Sequence, residues 1–126
     1  PANVLCDTSY VQNSEIDCAG DFICKRGVYN SSIKVQGNTK ISGVWRGGEL
    51  CCNGDVYIRE LGGSAVSATT VRAEKSSKLK IDYCHANVRF YIGKEMVRID
   101  ENVQKLDIYR ERGMLRVEKL KWDILP

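Results

Sequence analysis

The sequence predicts an all-β chain: a single-stranded, right-handed parallel β-helix (a solenoid) with an irregular C-terminal cap. Three observations carry that expectation. Residues 13–29 (NSEIDCAGDFICKRGVY), 30–46 (NSSIKVQGNTKISGVWR) and 47–63 (GGELCCNGDVYIRELGG) align without gaps as 17-residue repeats. Within each block apolar side chains alternate with polar ones, the period-two pattern of a strand with one buried face. Each block is also interrupted at the same place, by Gly20-Asp21, Gly37-Asn38 or Gly54-Asp55. Such a pair suits a bend, because glycine accepts positive φ and Asp or Asn can bond its own backbone in a turn. Gly20, Gly37 and Gly54 are therefore expected to be structural turn residues.

In chain order, residues 4–6 (Val-Leu-Cys) read as a raw N-terminal edge. Each block then opens with a strand carrying Ile16, Ile33 or Leu50 inward, followed two residues later by Cys18, Val35 or Cys52. Beyond the Gly-Asp/Asn bend a second strand carries Phe22, Thr39 or Val56, then Cys24, Ile41 or Ile58. A strand, a bend, a second strand and a return within 17 residues leave no room for a crossover helix. Each coil must therefore stack in parallel on the last, roughly 4.8 Å higher. An antiparallel meander has no reason to repeat at a fixed 17.

After residue 63 the repeat loosens. Val66 and Ala68 resume the inward alternation one residue out of phase, Val71 and Ala73 mark a strand, Leu79 and Ile81 another, and Val88, Phe90 and Ile92 another ending at Gly93. Met96 to Ile99, Val103 to Tyr109 and Met114 to Leu120 read as further strands, the last two as a hairpin around Gly113, with Trp122 packing over the last coil. The expected organisation is thus β-helix coils over 1–93, the regular repeat confined to 13–63, and a cap over 94–126. A chain opening on Pro1-Ala2-Asn3 is expected to be a piece of a longer protein whose upstream segment is missing.

Composition is that of one ordinary globular domain of 126 residues, with 43% hydrophobic and 28% charged residues. The net charge of +3 is too small to argue for nucleic acid. Charge is uneven: residues 1–71 hold 6 basic and 7 acidic side chains, and residues 72–126 hold 13 and 9. A mixture of signs reads first as a solvated surface, with an acidic partner for the basic half as the sharper alternative. No apolar run reaches the ~18–20 residues that span a bilayer, so no membrane insertion is expected, and no secretory leader is visible.

Six cysteines invite a disulfide or zinc reading, and the repeat argues against both. Cys18 and Cys52 share a ladder with Val35, and Cys24 shares one with Ile41 and Ile58, so these thiols stand where aliphatics stand. Cys51 falls in register with Asp17 and Lys34 and faces out, leaving Cys51 and Cys52 badly placed to hold one metal. There is no Cys-x-x-Cys and one histidine, against a zinc site. His85 follows Cys84, but strand neighbours face opposite ways, so His85 reads as a surface or bend residue. No phosphate-cradling or nucleophile-turn motif occurs. Asp17, Asp21 and Asp55 are scattered over bends, with Asn38 interrupting the column. No catalytic, cofactor-binding or metal-binding residue is assigned, and no cofactor is expected.

The most idiosyncratic stretches are Arg46 to Glu49 and Arg59 to Ser64. They are bends needing glycine or, on the functional reading, a protruding corner for recognition. Trp45, Arg46, Arg59 and Glu60 are the candidate partner-binding residues, although the alignment of Trp45 near Val28 argues for at least partial burial.

The succession of inward strand, Gly-Asp/Asn, second strand and short turn, with ISGVWRGGELCCNGDVYIRELGG at 41–63, ATTVRAE at 68–74 and NVRFYIG at 87–93, resembles the β-helical domain of the bacterial flagellar assembly protein A (FapA-type) family. The resemblance covers about residues 13–120 and is most specific at 43–63 and at Ile92-Gly93. It implies a cytoplasmic bacterial protein, non-enzymatic, that acts in flagellar assembly or placement by binding protein partners. No catalytic residue carries over from it. The expected function is an interaction scaffold with unidentified protein partners, a homo-oligomer being a further option. The alternatives are a self-assembling bactofilin-like filament protein and a carbohydrate-active β-helix enzyme.

Overall fold

The computed structural model describes residues 3–6, 9–63 and 68–122. Their thirteen strands are β1 (Val4–Cys6), β2 (Val11–Gln12), β3 (Glu15–Cys18), β4 (Phe22–Cys24), β5 (Gly27–Val35), β6 (Thr39–Cys52), β7 (Val56–Leu61), β8 (Thr69–Ala73), β9 (Leu79–Cys84), β10 (Val88–Ile92), β11 (Glu95–Arg98), β12 (Val103–Glu111) and β13 (Met114–Lys121). No described residue is helical. The strands wind into a β-solenoid of about five turns, as the sequence predicts.

Three faces enclose the core. The first stacks β1, β4, the start of β6, β7 and β9 in parallel. The second, narrower, stacks β2, the start of β5, the middle of β6 and the ends of β7 and β9. The third stacks β3, the ends of β5 and β6, then β8 and β10. The 17-residue spacing is the register of these ladders. Ile16, Ile33 and Leu50 are direct neighbours, as are Cys18, Val35 and Cys52, Phe22, Thr39 and Val56, and Cys24, Ile41 and Ile58. Repetition extends upstream of residue 13 as well, since Val11 stacks on Val28 and β1 on β4.

The ladders fill the interior with aliphatic, aromatic and thiol side chains, the half-buried Ile16 at the open N-terminal end being the least covered of them. All six cysteines are free, and Cys18, Cys24, Cys52 and Cys84 are buried. The thiols do more than replace an aliphatic. Cys18 Sγ donates to the Asp21 carbonyl at 3.2 Å and Cys52 Sγ to the Gly37 carbonyl at 3.2 Å, so each satisfies an acceptor that the bend turns inward.

The bends correct the expectation about glycine. Gly20, Gly37 and Gly54 do not take positive φ; at Gly37 and Gly54 what excludes a side chain is contact. A Cβ on Gly37 would lie 2.3 Å from Asp21 Oδ1 and 2.8 Å from the Gly20 carbonyl, and one on Gly54 2.3 Å from Asn38 Oδ1 and 2.5 Å from the Gly37 carbonyl. The acid or amide also bonds the next coil rather than its own turn. Asn3 Oδ1 accepts from Asp21 N at 2.8 Å, Asp21 Oδ1 from Asn38 N at 2.8 Å, Asn38 Oδ1 from Asp55 N at 2.8 Å and Asp55 Oδ1 from Lys78 N at 3.0 Å. Asp and Asn serve equally in this column because each accepts one amide proton. Positive φ belongs instead to a column at the opposite corner, Asn13 and Asn30 (both φ 49°) above Gly47 (φ 80°), where Asn and Gly are the residues that tolerate it.

Gapless alignment fails at one place. Between Ile41 and Val44 the ladder shifts by one, so that Ile41 pairs with Ile58 but Val44 pairs with Glu60 and Trp45 with Leu61. Ser42 and Gly43 on β6 thus oppose Arg59 alone, a β-bulge, and Arg59 and Glu60 are successive residues facing outward. Later, Leu50 pairs with Val71 and Val56 with Leu79, steps of 21 and 23 residues. Ala68 is exposed, and Thr69 is the residue turned inward. Val66 lies outside the described residues.

The C-terminal end changes direction. β11 runs antiparallel on β10, β12 antiparallel on β9, and β13 antiparallel on β12. Arg112 (φ 51°) and Gly113 (φ 80°) form the two-residue link of the last hairpin, the pattern of a type I′ turn. Val103, Leu106 and Ile108 close the interior over Cys84, Ile81 and Leu79.

Candidate functional site

The bulge decides which side chains meet on the second face. Because it sets Glu60 outward, the carboxylate from β7 lies between Arg46 on β6 and His85 just after β9. Glu60 Oε2 accepts from Arg46 Nη2 at 3.0 Å and lies 2.9 Å from His85 Nε2. Glu60 Oε1 faces Arg59 Nη2 at 3.7 Å. Arg46 Nε also donates to the Gly62 carbonyl at 3.2 Å, which fixes the guanidinium from two sides. Tyr83 lies directly below Glu60 in the ladder. Trp122, after β13, packs against Tyr83 (centroids 5.0 Å apart) and edge-on against His85 (4.8 Å).

Gly62 and Gly63 give this corner its closeness. A Cβ on Gly62 would lie 2.7 Å from Val88 Cγ2, and one on Gly63 3.0 Å from the His85 ring and 3.2 Å from Arg46 Nε. Partial burial of Glu60 acts to raise its carboxyl pKa, but the hydrogen bonds from His85 and Arg46 and their charge outweigh it and hold the group below its ordinary value. Glu60 is therefore an ionised acceptor already engaged by its neighbours. Beside it a groove of about 550 Å³ runs past His85 and Val88 toward Arg89, Arg98 and Asn102.

The sequence-predicted residues distribute as follows. Arg46, Arg59 and Glu60 come together on this corner. Trp45 does not join them: it is fully buried between Val28 and Leu61, with its indole N–H bonded to the Gly47 carbonyl at 3.0 Å. The expectation of a partner-binding Trp45 is thereby corrected. Its strand position turns it inward, and the indole is the largest of the fully buried core side chains. Ser64, at the end of the predicted corner, lies outside the described residues. His85 and Tyr83 were not singled out for the site. Their signal is hidden, because the step from Glu60 to Tyr83 is 23 residues, not 17.

Gly20, Gly37 and Gly54 form a separate column at the bend between the third and first faces. Asp21 and Asp55 accept backbone amides there, while Asp17 lies on the third face beside Lys34 in the ladder. Among the described residues no group of three or more His, Cys, Asp and Glu side chains is placed to hold a metal ion, and no helix is long and apolar enough to cross a membrane. Comparison with known family models, curated proteins and solved structures gives no match.

Proposed function

We propose that this chain is a non-enzymatic interaction scaffold, a rigid rod that offers the Arg46–Glu60–His85 corner to a protein partner. The observation that carries the reading is the convergence of Arg46, Glu60, Tyr83, His85 and Trp122, drawn from β6, β7, β9 and the residues just after β9 and β13, and held by mutual hydrogen bonds and ring contacts. Arginine and aromatic side chains dominate the binding energy of protein interfaces, and pre-organised ones lose less entropy on binding. The resemblance to the flagellar assembly family supplies the setting: a bacterial cytoplasmic protein acting in flagellar assembly or placement.

Two other readings draw less support. A bactofilin-like filament joins coils end to end through matching parallel edges, whereas the antiparallel β11 and β13 stand at the C-terminal end of this solenoid. A carbohydrate-active enzyme needs converging carboxylates, and Asp21 and Asp55 are engaged by the backbone of the neighbouring coil.

Affinity capture from bacterial extract tests the proposal, with wild type compared to Trp122→Ala and Arg46→Ala. A bound protein retained by wild type and lost from both variants, at unchanged circular dichroism, is the expected result. Equal retention by all three overturns the corner as the binding site. Turnover of a polysaccharide by the purified chain overturns the non-enzymatic reading.

A further inference from the structure

The outer surface of the third face carries a graded charge. Its outward residues form two columns in register. From the N-terminal end, one reads Glu15, Ser32, Glu49, Thr70, Arg89, Arg98, and the other Asp17, Lys34, Cys51, Arg72, Tyr91, Met96. In the middle, charges are already matched: Arg72 Nε lies 3.1 Å from Glu49 Oε2, and its guanidinium lies 4.4 Å from the centre of the Tyr91 ring. Toward the ends they are not. Glu15, Asp17 and Arg89 are exposed and form no ion pair among the described residues, and Arg98 meets only the exposed Asp100 at 3.5 Å and Asn87 at 3.3 Å. Apart from Lys34, the exposed charges of the two columns are negative toward one end of the face and positive toward the other.

We infer that this face is an interface between two copies of the chain, packed face to face with their solenoid axes antiparallel. A two-fold axis lying along the strand direction, midway between the Glu49 and Thr70 rows, generates the arrangement. It sets Glu15 of one copy opposite Arg98 of the other, Ser32 opposite Arg89, and Glu49 opposite Thr70, each twice by symmetry. In the second column Lys34, the one charge out of sign in the acidic half, falls opposite Tyr91, and Asp17 opposite Met96. The other face-to-face dimer, with parallel solenoid axes, has its two-fold axis between the columns and sets Glu15 of one copy against Asp17 of the other, a like-charge contact made twice that rejects it.

Six rows about 4.8 Å apart and strands of five residues make a face of roughly 24 by 17 Å. That is about half the 800 Å² per partner of a standard interface, so the dimer is weak, reversible and salt-sensitive. Cys51 sits half a row from the axis. With sheets packed roughly 10 Å apart, the two Cys51 Cα atoms are roughly 11 Å from each other. This inference is independent of the proposed partner corner, which lies on the second face.

Sedimentation of the full chain across concentration tests it, at low and high salt. Expected is a monomer–dimer equilibrium that shifts to monomer with salt. Glu15→Arg and Arg98→Glu should each weaken the dimer about ten-fold, and the double variant, which restores opposite charges across the axis, should recover it. A short bis-maleimide should join two chains through Cys51 in wild type and not in Cys51→Ser. A monomer at all concentrations overturns the proposal. So does a dimer that the single variants leave intact, that the double variant fails to recover, or that Cys51 does not cross-link. The exposure of Glu15 and Arg98 keeps the variants folded, which the unfolding temperature verifies.

Discussion

Gly37 has an ordinary φ and yet no room for a methyl group, because the Asp21 carboxylate and the Gly20 carbonyl of the coil above close on its Cα. Gly37→Ala must push apart two coils at the point where Asn38 N meets Asp21 Oδ1. A loss of about 2 kcal/mol is expected, a fall in Tm of roughly 8 °C by calorimetry. The cysteines give a second prediction. Burial pushes the Cys84 thiol up to about 12, and Cys18, Cys24 and Cys52 are likewise enclosed. A maleimide at neutral pH should therefore label the half-exposed Cys6 and Cys51 first, the other four reacting only on unfolding. Peptide mapping that finds Cys24 or Cys52 modified early contradicts the register. For Glu60, burial is outweighed by the His85 and Arg46 contacts, and the folded value lies below the ordinary 4.5. A depressed carboxyl stabilises fully above that ordinary value and loses its contribution as pH falls through the folded value. Thermal unfolding followed from pH 6 to 3 should show a larger fall for wild type than for Glu60→Gln, the difference being modest because solvent screens the pair.

At the level of elements, the bulge in β6 is what separates a regular wall from a site. The coil positions of Ile33, Leu50, Ile41 and Ile58 follow directly from period-two alternation and the 17-residue spacing, and all four are fully buried. The bulge was not legible, because the cue for it, a glycine at 43, is one glycine among eleven. Its reason is spatial. A Cβ on Gly43 would lie 1.5 Å from the Arg26 carbonyl, so only glycine lets β6 pass the bend that leads into β5. Gly43→Ala should cost at least about 3 kcal/mol. It should also move Glu60 away from Arg46 and His85, visible as changed His85 ring signals in NMR spectra of the folded fraction. An unchanged Tm contradicts the bulge.

For the molecule as a whole, the two ends differ. Among the described residues, parallel strands stand open at the N-terminal end, with Val4, Cys6 and Ile16 half-buried, whereas antiparallel β11, β12 and β13 close over the other end. Reversed strands give the last coil a backbone partner while interrupting the parallel ladder. Truncation after Gly93 would uncover the edge of β9 together with Leu79, Ile81 and Cys84, which β12 pairs with and covers. The truncated chain should aggregate and bind a hydrophobic dye, both measurable by light scattering and fluorescence. A monomeric, dye-free product contradicts the capping role.

By itself the sequence determined the coil period, the residues that line its interior and the place of the thiols among them. Those properties depend on strand alternation and on identical positions stacking, both of which are local and repeat. Only the tertiary structure decided that Trp45 is core, that the Asp/Asn column bonds from coil to coil, and that Glu60 gathers Arg46 and His85. Those contacts join residues across coils whose steps vary from 16 to 23, and loops of unequal length carry no periodic signal. The graded charge of the third face became visible for the same reason, once the strands had been set in register.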